Sequence, residues 1–350
     1  MSREPLQNGG SAAGARPPRL LVVELWGLGD LVIATPFLQA AAARYEVTLL
    51  AKPYALELQA RLWPGVKIVP FNAPWTAFKR KYRLWRWPAV EMLRLWRQLG
   101  RQAFDYGVSS RWDPRDHALL KGLGIRHRLG FSRYHSEIFL TQALRKPDPQ
   151  AHHYEYWRQA GHALGLALPP RHLLPVIPWH PGKPVLVHSG ARLAVRVWPL
   201  ERFLMIVRRL RAQGHLAQVV CDPEQLGWWQ QAGETTVACP TTVQALLDIL
   251  DRSGIFIGND SGPGHLAGIL GLPTFTIFGP QLPEWFAPLN PLAQWQEGKA
   301  CPYKPCSDYC LLPTPECLWN ITGEEVWQRV EQFLGQTQLT PQKPPVSVAG

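Results

Sequence analysis

Short apolar and β-branched segments alternate with helical patterns along most of the chain, and this alternation constrains its fold more than any other feature. Residues 20–24 (LLVVE) and 274–278 (TFTIF) are typical of buried strands. Strands that alternate with helices form parallel sheets through right-handed crossovers. The predicted strands are 20–24, 46–51, 66–71, 105–109, 184–188, 218–221, 255–258 and 274–278, and the predicted helical stretches are about 32–44, 200–213, 243–250, 264–270 and 324–334.

These elements fall into two groups, which predicts two doubly wound, Rossmann-like α/β domains that face each other across a cleft. The chain has 350 residues, a length that suits two domains. We place the first domain at 19–175 and the second at 176–335, with a Pro- and His-rich linker within 146–181. Residues 1–18 and 336–350 are expected to be disordered tails, and the first of them lacks the apolar core of a signal peptide.

Composition and charge narrow the class of protein. Hydrophobic residues make up 46% of the chain, which argues against wholesale disorder, and no apolar run approaches the ~18 residues of a membrane-spanning helix. Residues 1–175 hold 25 Lys and Arg against 12 Asp and Glu (+13), whereas residues 176–350 hold 12 against 14 (−2). The first half therefore fits an anionic partner such as a nucleic acid, a membrane surface or a phosphorylated acceptor, unless the excess reflects a generally basic proteome.

The residues that follow the predicted strands are the strongest candidates for chemistry, because ligands of open α/β sheets bind at the carboxyl ends of the strands. The turn after the first strand, 27–30 (GLGD), lacks the third glycine of a dinucleotide-binding fingerprint. Asp30 is expected at or near a helix N-terminus. It is either an N-cap or a general base in the cleft.

Two further strand-to-helix turns suggest an anion site. In 259–266 (NDSGPGHL), a glycine-containing turn opens a helix, so that backbone amides, Ser261 and His265 could cradle a diphosphate. In 188–199 (HSGARLAVRVWP), Arg192 and Arg196 could grip phosphate oxygens with their planar guanidinium groups. The alternatives are a capped strand-to-helix turn in the first case and solvent-facing loop charge in the second.

Together these three segments resemble glycosyltransferase family 9, the bacterial heptosyltransferase family, over about residues 20–335. Gly29, Asp30, Thr35 and Pro36 are similar to the first motif of that family. Residues 196–199 (RVWP) resemble its Lys-x-Trp-Pro element, with arginine in the place of the lysine. Residues 259–265, followed by 266–267 (LA) and 278–280 (FGP), resemble its nucleotide-binding signature, which is the most specific of the three.

The resemblance implies a GT-B architecture, with the acceptor site in the first domain and the nucleotide-sugar site in the second. It implies inverting, metal-independent transfer of a heptose from ADP-heptose to a lipopolysaccharide core or lipid A-type acceptor. By position, Asp30 is the base and Arg196 replaces the phosphate-binding lysine. The residues expected at the donor are Ser189, Gly190, Arg192, Arg196, Asp260, Ser261, Gly262 and His265.

The segment 78–101 combines basic and aromatic residues. We expect its basic part to contact anionic headgroups or acceptor phosphates through Lys79, Arg80, Lys81 and Arg83. After it, Val90, Leu93, Trp96 and Leu99 recur at helical spacing with Arg94 and Arg97 opposite. Such a helix could lie in a membrane interface. We favour the alternative that it packs its apolar face on the sheet.

Cysteine use is uneven. Cys221 and Cys239 are isolated from the other cysteines and are expected to be buried or inert. Four others cluster, at Cys301, Cys306, Cys310 and Cys317. Their spacing lacks the usual C-x2-C pairs, but four neighbouring thiols could hold a structural zinc or iron. His152 and His153 lie in the linker and are expected to pack between domains rather than to chelate a metal.

The sequence thus favours a cytoplasmic glycosyltransferase, peripherally associated with the inner membrane, that needs no catalytic cofactor. Its partners would be a nucleotide sugar and an anionic glycolipid. Two alternatives stay open: a relative of the same family that uses another nucleotide sugar or acceptor, and a non-catalytic nucleotide- or lipid-binding scaffold. A nucleic-acid partner is not expected, because no recognition module is visible.

Overall fold

The computed structural model describes residues 16–77, 83, 85, 87–180, 182–299, 301–306 and 308–338. The chain divides between Pro169 and Pro170 into two compact units. Each unit contains one all-parallel sheet with helical crossovers, which confirms the predicted α/β class with two doubly wound sheets.

The first unit has a six-stranded sheet of order β3-β2-β1-β4-β5-β6. Its strands are β1 (Arg19–Glu24), β2 (Glu46–Ala51), β3 (Lys67–Pro70), β4 (Tyr106–Ser109), β5 (His127–Gly130) and β6 (Gln142–Ala143). Its helices are α1 (Leu28–Ile33), α2 (Thr35–Ala42), α3 (Ala55–Leu62), α4 (Ala89–Gly100), α5 (Pro114–Gly122) and α6 (Tyr154–Ala163). The strand order reverses between β1 and β4, and such a switch point opens a crevice at the carboxyl ends of the strands.

The central strand β1 explains why the first unit folds around this sheet. Val22 lies opposite Leu49 of β2 and Val108 of β4, and all three side chains are fully buried. Leu21 and Val23, which point to the other face, are buried as well. A strand buried on both faces carries a continuous apolar run, as this one does.

The second unit has a five-stranded sheet of order β11-β10-β9-β7-β8. Its strands are β7 (Val185–His188), β8 (Ala217–Val220), β9 (Ile255–Asn259), β10 (Thr274–Phe278) and β11 (Gln294–Glu297). Its helices are α7 (Leu200–Ala212), α8 (Pro223–Gln231), α9 (Val243–Arg252), α10 (Gly262–Ile269), α11 (Pro283–Phe286), α12 (Glu316–Trp319) and α13 (Gly323–Gln338). Here the strand order reverses between β7 and β9.

The core of the second unit forms around Trp198 and the apolar stripe of α7. Phe203, Ile206, Val207 and Leu210 recur at helical spacing and are all buried, as the sequence predicts. Trp198 is fully buried too, and its indole N–H donates to the carbonyl of residue 321 at 2.9 Å. This bond satisfies the one polar atom of the indole inside the core.

Two local expectations need correction. The helix after β1 begins at Leu28 rather than near residue 32, and a second helix follows at Thr35. The stretch expected as linker contains α6, whose Tyr154 and Trp157 are buried in the first unit. The tyrosine and tryptophan side chains of α6 supply the apolar area that holds this segment to the unit.

In the described residues, no helix combines the length and the apolar character needed to cross a membrane.

Gly258 lies in a closely packed part of the second sheet, where there is no space for a larger side chain. A Cβ added at Gly258 would lie 2.7 Å from the carbonyl oxygen of His188 and 2.9 Å from the ring of Phe256. Gly258→Ala should therefore lower the free energy of unfolding by roughly 1–3 kcal/mol, measured by chemical denaturation. Gly227→Ala is the matched control, because nothing lies within 4 Å of the added Cβ in α8, and alanine favours helix. Equal effects of the two substitutions would contradict the tight contact.

Candidate active site

Asp30 lies at the switch point of the first sheet, in the first turn of α1. Gly27 is the N-cap residue of this helix, and its backbone N–H donates to Oδ2 of Asp30 at 2.9 Å. Asp30 is thus an internal capping carboxylate rather than the N-cap itself. Its other oxygen, Oδ1, forms an ion pair with Nη2 of Arg111, which lies two residues after the last residue of β4.

Arg111 joins Asp30 to a second carboxyl group, Glu24, at the end of β1. Nε of Arg111 lies 3.9 Å from Oε2 of Glu24, and the Glu24 side chain is 1% exposed. Glu24 accepts hydrogen bonds from the backbone N–H of Trp26 and the hydroxyl of Ser110. Burial raises the pKa of Glu24 to about 7, although the Arg111 charge opposes the shift. Glu24 can therefore hold or release a proton close to neutral pH.

Asp30 and Arg111 line a small, partly open pocket, which we call the Asp30 pocket. It is lined by Glu24, Asp30, Ile33, Ser110, Arg111, Trp112, His153, Tyr156 and Trp157. The ring centroids of Trp112 and Tyr156 are 5.2 Å apart, and Nη1 of Arg111 lies 3.4 Å from Nδ1 of His153. A carboxylate, a cation and aromatic faces in one small pocket can bind a polar, ring-shaped ligand such as a sugar.

Sequence reasoning missed every member of the Asp30 pocket except Asp30. Ser110, Arg111 and Trp112 follow a predicted strand, so the rule that was applied to the other turns would have found them. His153 was expected to pack between domains, but it contacts Arg111 and Trp112 within the first unit. Its neighbour His152 is buried, and Nδ1 of that ring accepts from the backbone N–H of Tyr154.

In the second unit, Asn259 organises the switch point at the end of β9. Its side chain is completely buried and donates from Nδ2 to the carbonyl of Ser189 at 2.8 Å. Its Oδ1 accepts from the backbone N–H of Trp198 at 3.0 Å. One amide side chain thus connects the ends of β9 and β7 to the segment that carries Arg196.

Arg196 is held by two carboxylates. Its Nη1 donates to Oδ2 of Asp260 at 3.1 Å. It also forms a bidentate pair with Asp308, in which Nε donates to Oδ1 at 2.6 Å and Nη2 donates to Oδ2 at 2.8 Å. The expectation that Arg196 faces phosphate oxygens did not include these pairs. Asp308 escaped prediction because it lies 112 residues from Arg196 in the sequence, in a segment without helix or strand.

The other residues of the nucleotide-binding signature surround the start of α10. Ser261 is the N-cap residue, although its hydroxyl donates to the carbonyl of Asn259 instead of accepting from the helix. Gly262 is the first helical residue, and His265 is buried one turn later. Pro263 supplies no N–H at the second helical position.

The remaining predicted donor residues differ in their surroundings. The Ser189 hydroxyl is turned into the core, where it donates to Gln225 at 2.8 Å and accepts from the Trp229 indole at 3.0 Å. Gly190 is required by packing, because an added Cβ would lie 2.4 Å from the carboxylate of Asp222. Arg192 is exposed. Ser189 thus faces the interior through its side chain, whereas Arg192 is open to solvent.

Of the basic residues predicted to contact an acceptor or membrane, Arg83 is exposed. Lys79, Arg80 and Lys81 lie outside the described residues.

The four clustered cysteines converge on one pocket, the thiol pocket, of about 310 Å³. Cys301, Cys306, Cys310 and Cys317 all line it, together with Val195, which precedes Arg196. Burial raises the pKa of Cys317 to about 11, so that this thiol stays protonated at neutral pH. Across the part of the chain that the structure describes, no group of three His, Cys, Asp or Glu side chains is placed to hold a metal ion.

The other two cysteines are neighbours, which corrects the expectation that they are isolated. Burial first, and the Cys239 thiol second, raise the pKa of Cys221 to about 12. Both are free thiols.

Asp116 of α5 is a buried carboxyl group near β4, and its raised pKa can be tested through the pH dependence of stability. It accepts hydrogen bonds from the Trp75 indole and the Ser109 hydroxyl, and burial raises its pKa to about 8. Between an unfolded pKa near 4 and that value, the native state binds more protons than the unfolded chain, so stability falls as pH rises. Asp116→Asn should reduce this loss between pH 5 and pH 8 in denaturation curves, whereas the exposed Asp148→Asn should not. Identical slopes for the wild type and Asp116→Asn would contradict the assignment.

Comparison with known proteins identifies the family of this chain. The model of glycosyltransferase family 9 (heptosyltransferase) matches residues 92–310. Lipopolysaccharide heptosyltransferase 3 of Escherichia coli (strain K12) is 26% identical over 104 residues. That match spans 27% of this chain and only 30% of the length of the relative.

Two solved structures share the fold. The E. coli heptosyltransferase WaaC with ADP is 16% identical, with a TM-score of 0.69, over 90% of this chain and 99% of that one. The E. coli ADP-heptose lps heptosyltransferase II is 18% identical, with a TM-score of 0.65, over 91% and 99%. These likenesses confirm the predicted GT-B fold. Since the family model covers more than half of the sequence, the chain belongs to glycosyltransferase family 9.

Proposed function

We propose that this protein is an inverting glycosyltransferase that transfers a heptose from ADP-heptose to a lipopolysaccharide core or lipid A-type acceptor without a catalytic metal. The observation that carries the proposal is the pair of functional groups at the two points where the strand order reverses, one in each sheet. One presents a carboxylate, Asp30, beside a small pocket lined by aromatic rings, and the other presents a helix N-terminus beside Arg196. A base and an anion site are the two groups that such a transfer needs.

The donor would bind at the start of α10 in the second unit. As the glycosidic bond breaks, negative charge grows on the departing diphosphate, and fixed dipoles and cations stabilise that charge. The N-terminus of α10 provides the dipole, and Arg196 provides the cation. The presence of ADP in one solved relative supports an ADP-linked donor.

The acceptor would bind in the Asp30 pocket. Asp30 takes the proton from the attacking hydroxyl, which approaches the face of the sugar opposite the leaving diphosphate, so that the anomeric configuration inverts. Arg111 orients Asp30 and supplies positive charge for an acidic acceptor. Trp112 and Tyr156 offer ring faces against which a sugar can pack.

The charge of the first half supports an anionic glycolipid as acceptor and a peripheral location at the inner membrane, on its cytoplasmic side. That half carries +13 and contains the Asp30 pocket, whereas the half with the diphosphate site carries −2. A basic surface concentrates phosphorylated lipids and raises their rate of association.

Asp30→Asn tests the base directly. Transfer from ADP-heptose should fall by about 10²- to 10⁴-fold, because asparagine cannot accept the proton, while ADP binding should persist. Turnover is measured as ADP release, and binding by calorimetry. Asp148→Asn makes the same chemical change at an exposed position and should leave both unchanged. Full activity of Asp30→Asn would remove Asp30 as base, and ADP binding without any turnover of the wild type would instead favour a scaffold.

Asp308 gives a second test, at the donor site. Its carboxylate occupies the Nε and Nη2 edge of Arg196, which is the edge that a phosphate would grip. The diphosphate must therefore displace Asp308, and Asp308→Asn should tighten ADP binding several-fold in calorimetry. Arg196→Gln should weaken it by about tenfold or more. Weaker ADP binding by Asp308→Asn would contradict the competition and show instead that Asp308 orients the arginine for its ligand.

A further inference from the structure

Helix α4 places an unusual mixture of side chains on its outer face. The inner face is accounted for by Leu95 and Leu99, which are buried in the core of the first unit. Trp96 covers Gly122 of α5, where an added Cβ would lie 2.0 Å from the indole. The apolar residues that the sequence assigned to the packed face are therefore only partly there, because Val90 is 63% exposed and Leu93 is 48% exposed.

The outer face, which we call the α4 face, consists of Val90, Leu93, Arg94, Arg97 and Arg101. These residues follow the spacing i, i+3, i+4, i+7 and i+11, so they form one stripe along the helix. All five are exposed. Among the described residues, none of the three arginines pairs with a carboxylate. Trp85, 80% exposed, lies just before the helix in sequence.

We propose that the α4 face is a docking surface for an anionic phospholipid bilayer. Apolar side chains of an amphipathic helix enter the region between headgroups and acyl chains, while arginines beside them stay at the level of the phosphates. Exposed Val90 and Leu93 would leave water, and Arg94, Arg97 and Arg101 would gain anionic partners, which the described residues of the protein do not provide. The inference rests on the membrane-surface acceptor proposed above and names the surface that reaches it.

The charge of the α4 face favours an anionic bilayer over a second copy of the chain as its partner. A twofold contact through the α4 face would set the arginine stripes of two copies against each other, at a cost in repulsion. A bilayer that contains phosphatidylglycerol neutralises them instead. The basic first half adds attraction over a longer range, which low ionic strength increases.

Co-sedimentation with vesicles tests the proposal. The wild type should bind phosphatidylglycerol–phosphatidylcholine vesicles and not pure phosphatidylcholine vesicles. Arg94→Gln/Arg97→Gln should weaken that binding by about tenfold or more, since each surface arginine adds to the attraction. Val90→Ser/Leu93→Ser should weaken it as well, which separates insertion from charge alone. The matched control is Arg208→Gln/Arg329→Gln, which removes two exposed arginines of the second unit.

The proposal is overturned if the control pair weakens binding as much as the α4 pair, because net charge alone would then explain it. It is also overturned if the wild type ignores anionic vesicles, or if Leu93 substitution dissociates a dimer in sedimentation velocity. ADP calorimetry on each variant verifies that the second unit is intact. ADP binding without vesicle binding would reject the α4 face and leave the proposed transfer untouched, whereas vesicle binding without ADP binding would do the reverse.

Discussion

The second unit of this protein depends on one buried amide side chain. Asn259 lies at the end of β9, where the strand order of the sheet reverses, and bonds both to the carbonyl of Ser189 and to the backbone N–H of Trp198. A buried amide that lost either partner would leave an unsatisfied polar group, so these bonds fix the three segments together. The turn at the start of α10 and the segment of Arg196 are thereby held at the same edge of the sheet.

Both switch points place a guanidinium between two carboxylates. Arg111 faces Asp30 and Glu24, and Arg196 faces Asp260 and Asp308. Partly buried charges require such pairing, because removal from water without a partner is costly. In the proposed mechanism, the diphosphate exchanges with a carboxylate that pairs with Arg196. The attacking hydroxyl meets Asp30, which Arg111 already orients.

The sequence predicted the elements of the fold well, and the reasons are local. The strands at 46–51 and 274–278 have the predicted bounds, since short segments of apolar and β-branched residues are typical of buried strands. The turns that carry Asp30 and Asp260 were found because glycines mark strand-to-helix turns. Arg111, Asp308 and the aromatic wall of the Asp30 pocket were missed. Their proximity to the site depends on which strands are neighbours in the sheet, and on a loop whose path no periodicity encodes.

Helix α4 shows a different limit of the sequence. Periodicity correctly predicted a helix there, but it could not decide which of two apolar stripes faces the sheet. Leu95 and Leu99 take that place, and Val90 and Leu93 are left on the outside. The rotation of α4 about its axis is set by the packing of Leu95 and Leu99 in the core of the first unit.

Binding of an ADP-linked sugar by the second unit is tested by a calorimetric comparison of ADP, UDP and GDP. We expect ADP to bind at least about tenfold more tightly than the other two, in the absence of added metal. Equal affinities, or a preference for UDP or GDP, would contradict it.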